Sequence, residues 1–91
     1  MTFDSVHNYY ERYVYDEVLR ATRSLAIAAD ANTLEDVACV ALNRLPARYI
    51  RYDIDLAFYL TSAEREQMDQ SIKDSVHFAI DFVQQRLRKP Q

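Results

Sequence analysis

Three arginines and two tyrosines near the middle of the chain have the chemistry to bind a charged, flat ligand. The set comprises Arg44, Arg48, Tyr49, Arg51 and Tyr52. Its three arginines fall within eight residues and form the only basic patch that the sequence offers. Guanidinium groups bind phosphates through paired hydrogen bonds, and tyrosine rings stack on planar groups. We call these five residues the arginine-tyrosine segment and take it as the candidate binding site.

The same segment has a structural interpretation, which stays open at this point. Its arginines could be solvated surface charges that pair with Asp53, with Asp55 or with acids of the last predicted helix. Such exposed ion pairs contribute only about 0 to 1 kcal/mol. The two interpretations differ in whether the arginines converge on one concave surface.

Catalytic and metal-binding residues are sparse. Cys39 is the single cysteine, and His7 and His77 are the only histidines. A closed zinc site needs several such ligands at fixed spacing. The sequence also has no serine or cysteine with a histidine and an acidic residue at the spacing of a known catalytic motif. We therefore predict no enzymatic activity, no metal site and no cofactor, and we expect both histidines near the surface and Cys39 buried as a small hydrophobic residue.

Composition excludes several classes of protein. The chain has 91 residues, a net charge of -3 and no glycine, so phosphate loops and dinucleotide-binding turns that require glycine are ruled out. Residues 1–91 are expected to form a single domain. The acidic balance disfavours nucleic-acid binding.

The sequence also bears on where the protein acts. The chain shows no membrane-spanning apolar run and no export signal, and its single cysteine suits a reducing compartment. We therefore expect a soluble, cytoplasmic protein.

Hydrophobic periodicity predicts a long first helix. Apolar residues recur at three and four from residue 5 to about residue 29. Asp4 or Ser5 is the predicted cap, because either side chain could accept from free N–H groups of the first turn. Tyr9 and Tyr13 share one face, so we expect them to pack in the core or in a dimer interface.

A second helix is predicted to begin at Thr33, where Thr33 and Asp36 resemble a capping box. It must end before Pro46, whose ring disfavours the helical conformation of the preceding residue. Asn43 is expected to hydrogen-bond the last carbonyls of this helix or the following turn. Because the helix is apolar nearly all round, it should lie at the centre of a small bundle or between two subunits.

The last third of the chain contains one clear and one ambiguous segment. A helix over residues 62–88 shows a single apolar stripe, with Thr61 and Glu64 as a second capping-box candidate. Residues 52–60 alternate like a strand, yet Asp53 could cap a short helix that runs through Phe58. We favour the helix, because a lone strand would need to pair across a dimer. The predicted fold is all-α: a small bundle of three to five helices with a long C-terminal helix, in a dimer.

The run ALNRLPARYI at residues 41–50 resembles the late competence development ComFB family. Members of that family carry a Val-Ala-x-Ala-Leu-Asn-x-Leu-Pro-Pro-Arg-Tyr-Val type run at the end of a helix. Near the start of the chain, Asn8 and Glu11 match the Asn-x-x-Glu motif of the family. Residues 35–37 match its acidic-acidic-Val motif, and residues 61–83 are similar in length and pattern to its final helix. The resemblance covers most of the chain.

Two departures limit what the resemblance implies. Ala47 stands where many members have a second proline, and the stretch 28–32 lacks the zinc-binding cysteines that some members carry there. Zinc is therefore not implied. The resemblance does imply a small all-α homodimer, and members of the family have been described as receptors for cyclic dinucleotide second messengers.

These considerations favour a non-enzymatic receptor for a cyclic dinucleotide, with cyclic di-GMP preferred, that signals to another protein. Guanidinium forks suit the O6 and N7 atoms of guanine, and Arg48 and Arg51 are expected to supply most of the affinity. Asn8 and Arg12 mark the alternative location of the site. The alternative function is a ligand-free, dimeric interaction module for competence, pilus or transcription machinery, and nucleic-acid binding is a weaker third hypothesis.

Overall fold

Helices account for most of the fold. The structure is a computed structural model that describes residues 1–88. Along the chain, its elements are β1 (His7–Asn8), α1 (Tyr10–Ser24), α2 (Ala31–Asn43), β2 (Tyr49–Ile50), α3 (Asp53–Tyr59) and α4 (Ser62–Arg88). The prediction of a small helical fold with a long C-terminal helix is confirmed.

The core lies where α1, α2 and α4 pack against one another. Val14 of α1 and Val76 of α4 are completely buried, as are Ala41 of α2 and Ala79 of α4. Small side chains at these positions allow the helices to approach closely. Each fully buried valine stabilises the fold by roughly 1.5 to 3 kcal/mol, so this three-helix core supplies most of the hydrophobic stabilisation.

Helix α1 is shorter at its start than predicted. It begins at Tyr10 instead of residue 5, because His7–Asn8 forms a strand that pairs antiparallel with Tyr49–Ile50. The predicted caps, Asp4 and Ser5, are therefore wrong. Tyr9 occupies the capping position without a side-chain cap bond, and Asn8, one residue earlier, accepts from the Tyr10 N–H through its Oδ1 atom at 3.3 Å. We call β1 and β2 together the ribbon.

Helix α1 also ends earlier than predicted, at Ser24 instead of residue 29. Ala26 has a φ of 53°, and its N–H donates to the Arg23 carbonyl while the Ile27 N–H donates to the Thr22 carbonyl. This is the Schellman arrangement that terminates helices, usually with glycine at the left-handed position. In a chain without glycine, alanine occupies that position.

Asp30 caps α2, three residues before the predicted start at Thr33. Its Oδ1 atom accepts from the Thr33 N–H at 2.8 Å, and this bond lowers the pKa of the Asp30 carboxyl. The predicted capping box at Thr33 and Asp36 is therefore wrong. At the other end, Asn43 Nδ2 donates to the Cys39 carbonyl at 2.9 Å, which confirms the expected bond to the last turn.

Only one face of α2 is buried, although its sequence is apolar nearly all round. Val37, Ala38 and Ala41 face the core, whereas Cys39 is exposed. The prediction of a buried Cys39 is wrong, because two neighbouring helices cover one side of α2 and leave the other side open.

The ambiguous segment is a short helix, as favoured. Helix α3 begins at Asp53, with Tyr52 rather than Asp53 in the capping position. The strand that does form, at Tyr49–Ile50, pairs with β1 of the same chain. A dimer is therefore not needed to provide its partner.

Helix α4 begins as predicted. The Thr61 hydroxyl accepts from the Glu64 N–H at 3.1 Å, and the apolar stripe of the helix packs into the core. In the part of the chain that the structure describes, no helix combines the length and hydrophobicity that a membrane span requires.

Candidate functional site

Asn8 fixes the backbone of the arginine-tyrosine segment to the start of α1. Its Oδ1 atom accepts from the Arg48 N–H at 3.0 Å as well as from the Tyr10 N–H. The Tyr9 N–H in turn donates to the Arg48 carbonyl at 2.7 Å. Both backbone groups of Arg48 are thus held by residues about forty positions earlier, which fixes where its side chain begins.

A polar cleft of about 460 Å³ lies between this segment and α4. Its lining consists of Tyr10, Arg44, Leu45, Pro46, Arg48, Leu60, Glu64, Gln67, Met68, Ser71, Asp74 and Ser75. Two arginines thus share a concave surface with two carboxylates and an amide. Such a surface offers both strong donors and strong acceptors to a ligand.

Arg44 is held by an aromatic ring. It caps the C-terminal end of α2, and its guanidinium carbon lies 3.7 Å from the centroid of the Phe78 ring on α4. At this distance the cation and the ring are in direct contact, which is a cation–π interaction. Arg44 is therefore a lining residue of the polar cleft whose guanidinium group is held by Phe78.

The remaining members of the segment lie outside the lining of the polar cleft. Tyr49 and Tyr52 are exposed, Tyr49 to 69%, and the Arg51 guanidinium carbon lies 5.0 Å from the centroid of the Tyr52 ring. The structure therefore brings together Arg44 and Arg48 and separates them from an outer group of Tyr49, Arg51 and Tyr52.

Asp53 is engaged by residues other than the site arginines. Its Oδ1 atom lies 3.1 Å from His7 Nε2, and its Oδ2 atom lies 3.6 Å from an Arg12 nitrogen. Among the side chains that the structure describes, no ion pair joins Arg44, Arg48 or Arg51 to a carboxylate. Two cleft arginines are therefore available to a ligand.

Both ring nitrogens of His7 have a polar neighbour, and one of these neighbours connects the ribbon to α3. Nδ1 lies 2.9 Å from the Ser5 carbonyl oxygen, and Nε2 faces Asp53. Both neighbours are acceptors, and only a protonated imidazole can donate to both. The Ser5 carbonyl and the Asp53 carboxylate accordingly raise the pKa of His7. As predicted, His7 is a boundary residue, and His77 is exposed.

Sequence reasoning missed the wall of the polar cleft that α4 provides. Its polar residues Glu64, Gln67, Ser71 and Asp74 are spaced by three, four and three positions. This spacing places them on one face of a helix. A polar stripe at helical period was the signal that could have located them, but it resembles an ordinary solvated helix face.

A second, apolar groove of about 580 Å³ lies between α1 and α2. Its lining consists of Tyr15, Val18, Leu19, Leu34, Glu35, Ala38, Cys39 and Leu42. Several of these side chains are exposed, which is typical of a surface that contacts another protein. Groups of three or more metal-ligating side chains are absent from the described residues.

Comparison with known protein families finds a match over most of the chain. A family model described as late competence development protein ComFB matches residues 7–87. No curated protein matches the chain. The matched region begins at β1 and ends within α4, so it contains the ribbon, the polar cleft and the apolar groove.

Proposed function

The chain belongs to the late competence development ComFB family, and from that premise we propose that it is a non-enzymatic receptor for cyclic di-GMP, bound in the polar cleft. The observation that supports this most directly is the position of Arg44 and Arg48 opposite Glu64 and Asp74. As a receptor for an intracellular messenger, the protein would act in the cytoplasm.

The composition of the polar cleft suits guanine better than adenine. Guanine presents acceptors at O6 and N7, and one arginine can donate a hydrogen bond to each of them. Guanine also carries an N2 amino donor that adenine lacks. Glu64 and Asp74 can accept from donors of this kind. Adenine presents an acceptor where guanine has its N1 donor, so a carboxylate there would disfavour cyclic di-AMP. The guanidinium groups also suit the two phosphates.

Calorimetric titration of the purified protein with cyclic di-GMP and cyclic di-AMP tests this proposal. We expect Arg44→Ala and Arg48→Ala each to weaken cyclic di-GMP binding at least tenfold, because an arginine that pairs with a guanine edge or stacks on its ring contributes roughly 1 to 3 kcal/mol. The melting temperature should change little, since both side chains are exposed.

Arg51→Ala is the matched control. The sequence alone predicts that Arg48 and Arg51 together supply most of the affinity. Binding in the polar cleft predicts instead a small effect of Arg51→Ala, because Arg51 does not line the cleft. A loss confined to Arg51→Ala would place the ligand on the outer group. Absence of binding to the unmodified protein would contradict the receptor function.

We also propose that the protein forms a homodimer. The alternative function, a dimeric interaction module, requires the same assembly. The apolar groove between α1 and α2 supports it, because Leu19 and Tyr15 are exposed there. Light scattering at tens of micromolar should give a dimer mass, and Leu19→Glu should give a monomer. Val6→Glu, at an exposed residue outside the groove, should leave the dimer intact.

A further inference from the structure

We infer that Phe78 is a positioning residue of the binding site, which holds the Arg44 guanidinium as a flat platform on which one guanine of the ligand stacks. This inference rests on the proposed function and names a residue outside the arginine-tyrosine segment. Phe78 acts through Arg44, since it does not itself line the polar cleft.

Arg44 both contacts the Phe78 ring and lines the polar cleft, and these two observations support the inference. Its guanidinium carbon lies 3.7 Å from the centre of the Phe78 ring, and the residue also lines the polar cleft. A guanidinium group is planar, so when one face covers a ring the opposite face can receive a second flat group. A base stacked there would form a three-layer arrangement of base, guanidinium and phenyl ring.

Holding the arginine before the ligand arrives increases affinity. A free arginine side chain samples many rotamers, and immobilising it on binding has an entropic cost. The Phe78 ring limits that cost because it favours one arrangement of Arg44 in the unliganded protein. Phe78 is 41% accessible to solvent, so burial in the core does not account for a phenylalanine at this position. Holding Arg44 gives the ring a role.

Phe82 provides an internal comparison one turn later on the same helix. It is exposed to a similar degree, 38%, and its ring stacks on Phe78 with centroids 6.0 Å apart. Its arginine neighbour is Arg86, whose guanidinium carbon lies 5.7 Å from the Phe82 ring centroid. Neither Phe82 nor Arg86 lines the polar cleft. The two phenylalanines are therefore similarly exposed and in contact with each other, but only Phe78 contacts an arginine that lines the polar cleft.

The experiment compares Phe78→Leu with Phe82→Leu by calorimetric titration with cyclic di-GMP. We expect Phe78→Leu to weaken binding about fivefold, the size of a cation–π contact of about 1 kcal/mol, and Phe82→Leu to bind like the parent. Phe78→Tyr should restore binding, because tyrosine keeps the aromatic face. The melting temperatures of the two leucine variants should agree.

A fluorescence measurement separates stacking from a general structural effect. The chain has no tryptophan, so Phe78→Trp and Phe82→Trp each introduce a single reporter. Cyclic di-GMP should change the emission of the tryptophan at position 78 and leave that at position 82 nearly unchanged. Equal losses of affinity in both leucine variants, or parental affinity in Phe78→Leu, would overturn the inference and leave the receptor function intact. An unmodified protein that fails to bind would refute both.

Discussion

The three-helix core and the ribbon with its polar cleft are stabilised in different ways. In the core, Val14 and Val76 are fully buried, and their contacts are non-directional. In the ribbon, Asn8 holds Arg48 and His7 holds Asp53 through hydrogen bonds between residues 40 and 46 positions apart. The core therefore depends on volume and hydrophobicity, whereas the site depends on a few directional contacts.

This difference leads to an expectation about mutations. Substitutions in the core should change the free energy of unfolding and leave the affinity of the folded protein for its ligand unchanged. Substitutions in the ribbon should change the position of Arg48 and therefore the affinity as well. Each prediction below tests one side of this comparison.

The largest effect is expected in the core, from Val76→Ala. Loss of two methyl groups from a fully buried side chain, together with the cavity left behind, should lower the free energy of unfolding by about 2 to 3 kcal/mol. Urea denaturation measures this value. The exposed Ile54→Ala should cost less than about 0.5 kcal/mol, and equal costs would contradict the assignment of the core.

Asn8→Ala should have the next largest effect and should act on the ribbon. Two backbone N–H groups, those of Tyr10 and Arg48, lose their acceptor, and each such hydrogen bond contributes about 0.5 to 1.5 kcal/mol. We expect lower stability together with weaker cyclic di-GMP binding. Asn8→Asp keeps the acceptor oxygen and should retain both properties. If Asn8→Ala lowered stability but left the affinity unchanged, Asn8 would not position Arg48.

The same comparison explains what the sequence could predict. Helix α4 and its Thr61 cap follow from a periodic stripe and a local capping pattern, and both were predicted correctly. Strand β1 was predicted as helix, because its partner β2 lies about forty residues away and no local pattern encodes that pairing. The apolar content of α2 likewise suggested burial on all sides, but burial depends on how many helices surround it.

The candidate site was predictable only in part, for a related reason. The cluster of arginines and tyrosines was visible in the sequence, and the ComFB resemblance pointed to Asn8 without giving it a role. The division into Arg44 and Arg48 in the cleft and an outer group containing Arg51 depends on the ribbon. The opposite wall on α4 depends on helix packing, which sequence periodicity does not specify.

Ala26→Gly should produce a smaller effect of opposite sign, at the exposed position that follows α1. Ala26 has a φ of 53°, a left-handed conformation that costs a non-glycine residue roughly 1 kcal/mol. Glycine should therefore raise the free energy of unfolding by up to about 1 kcal/mol. Ala63→Gly, within helix α4, should be destabilising instead, and a loss of stability in both variants would argue against the Schellman ending of α1.

The smallest effect concerns the pH dependence of the ribbon. The Ser5 carbonyl and the Asp53 carboxylate raise the pKa of His7 above its usual 6.5. Folding thus favours the charged form of His7. The contribution of charged His7 to the free energy of unfolding is fully present below the pKa of the unfolded state and is lost as the pH rises through the higher pKa of the folded state. Because His7 and Asp53 are both partly exposed, solvent weakens the pair.

His7→Gln measures this contribution. The parent should melt above His7→Gln at about pH 5.5, and the difference should shrink toward about pH 9, where the imidazole is neutral. His77→Gln, at an exposed histidine of α4, should show no such trend. A difference between parent and His7→Gln that does not vary with pH would mean that His7 acts through packing alone. Weaker cyclic di-GMP binding at the higher pH, in the parent only, would extend the link between His7, the ribbon and Arg48 to the site itself.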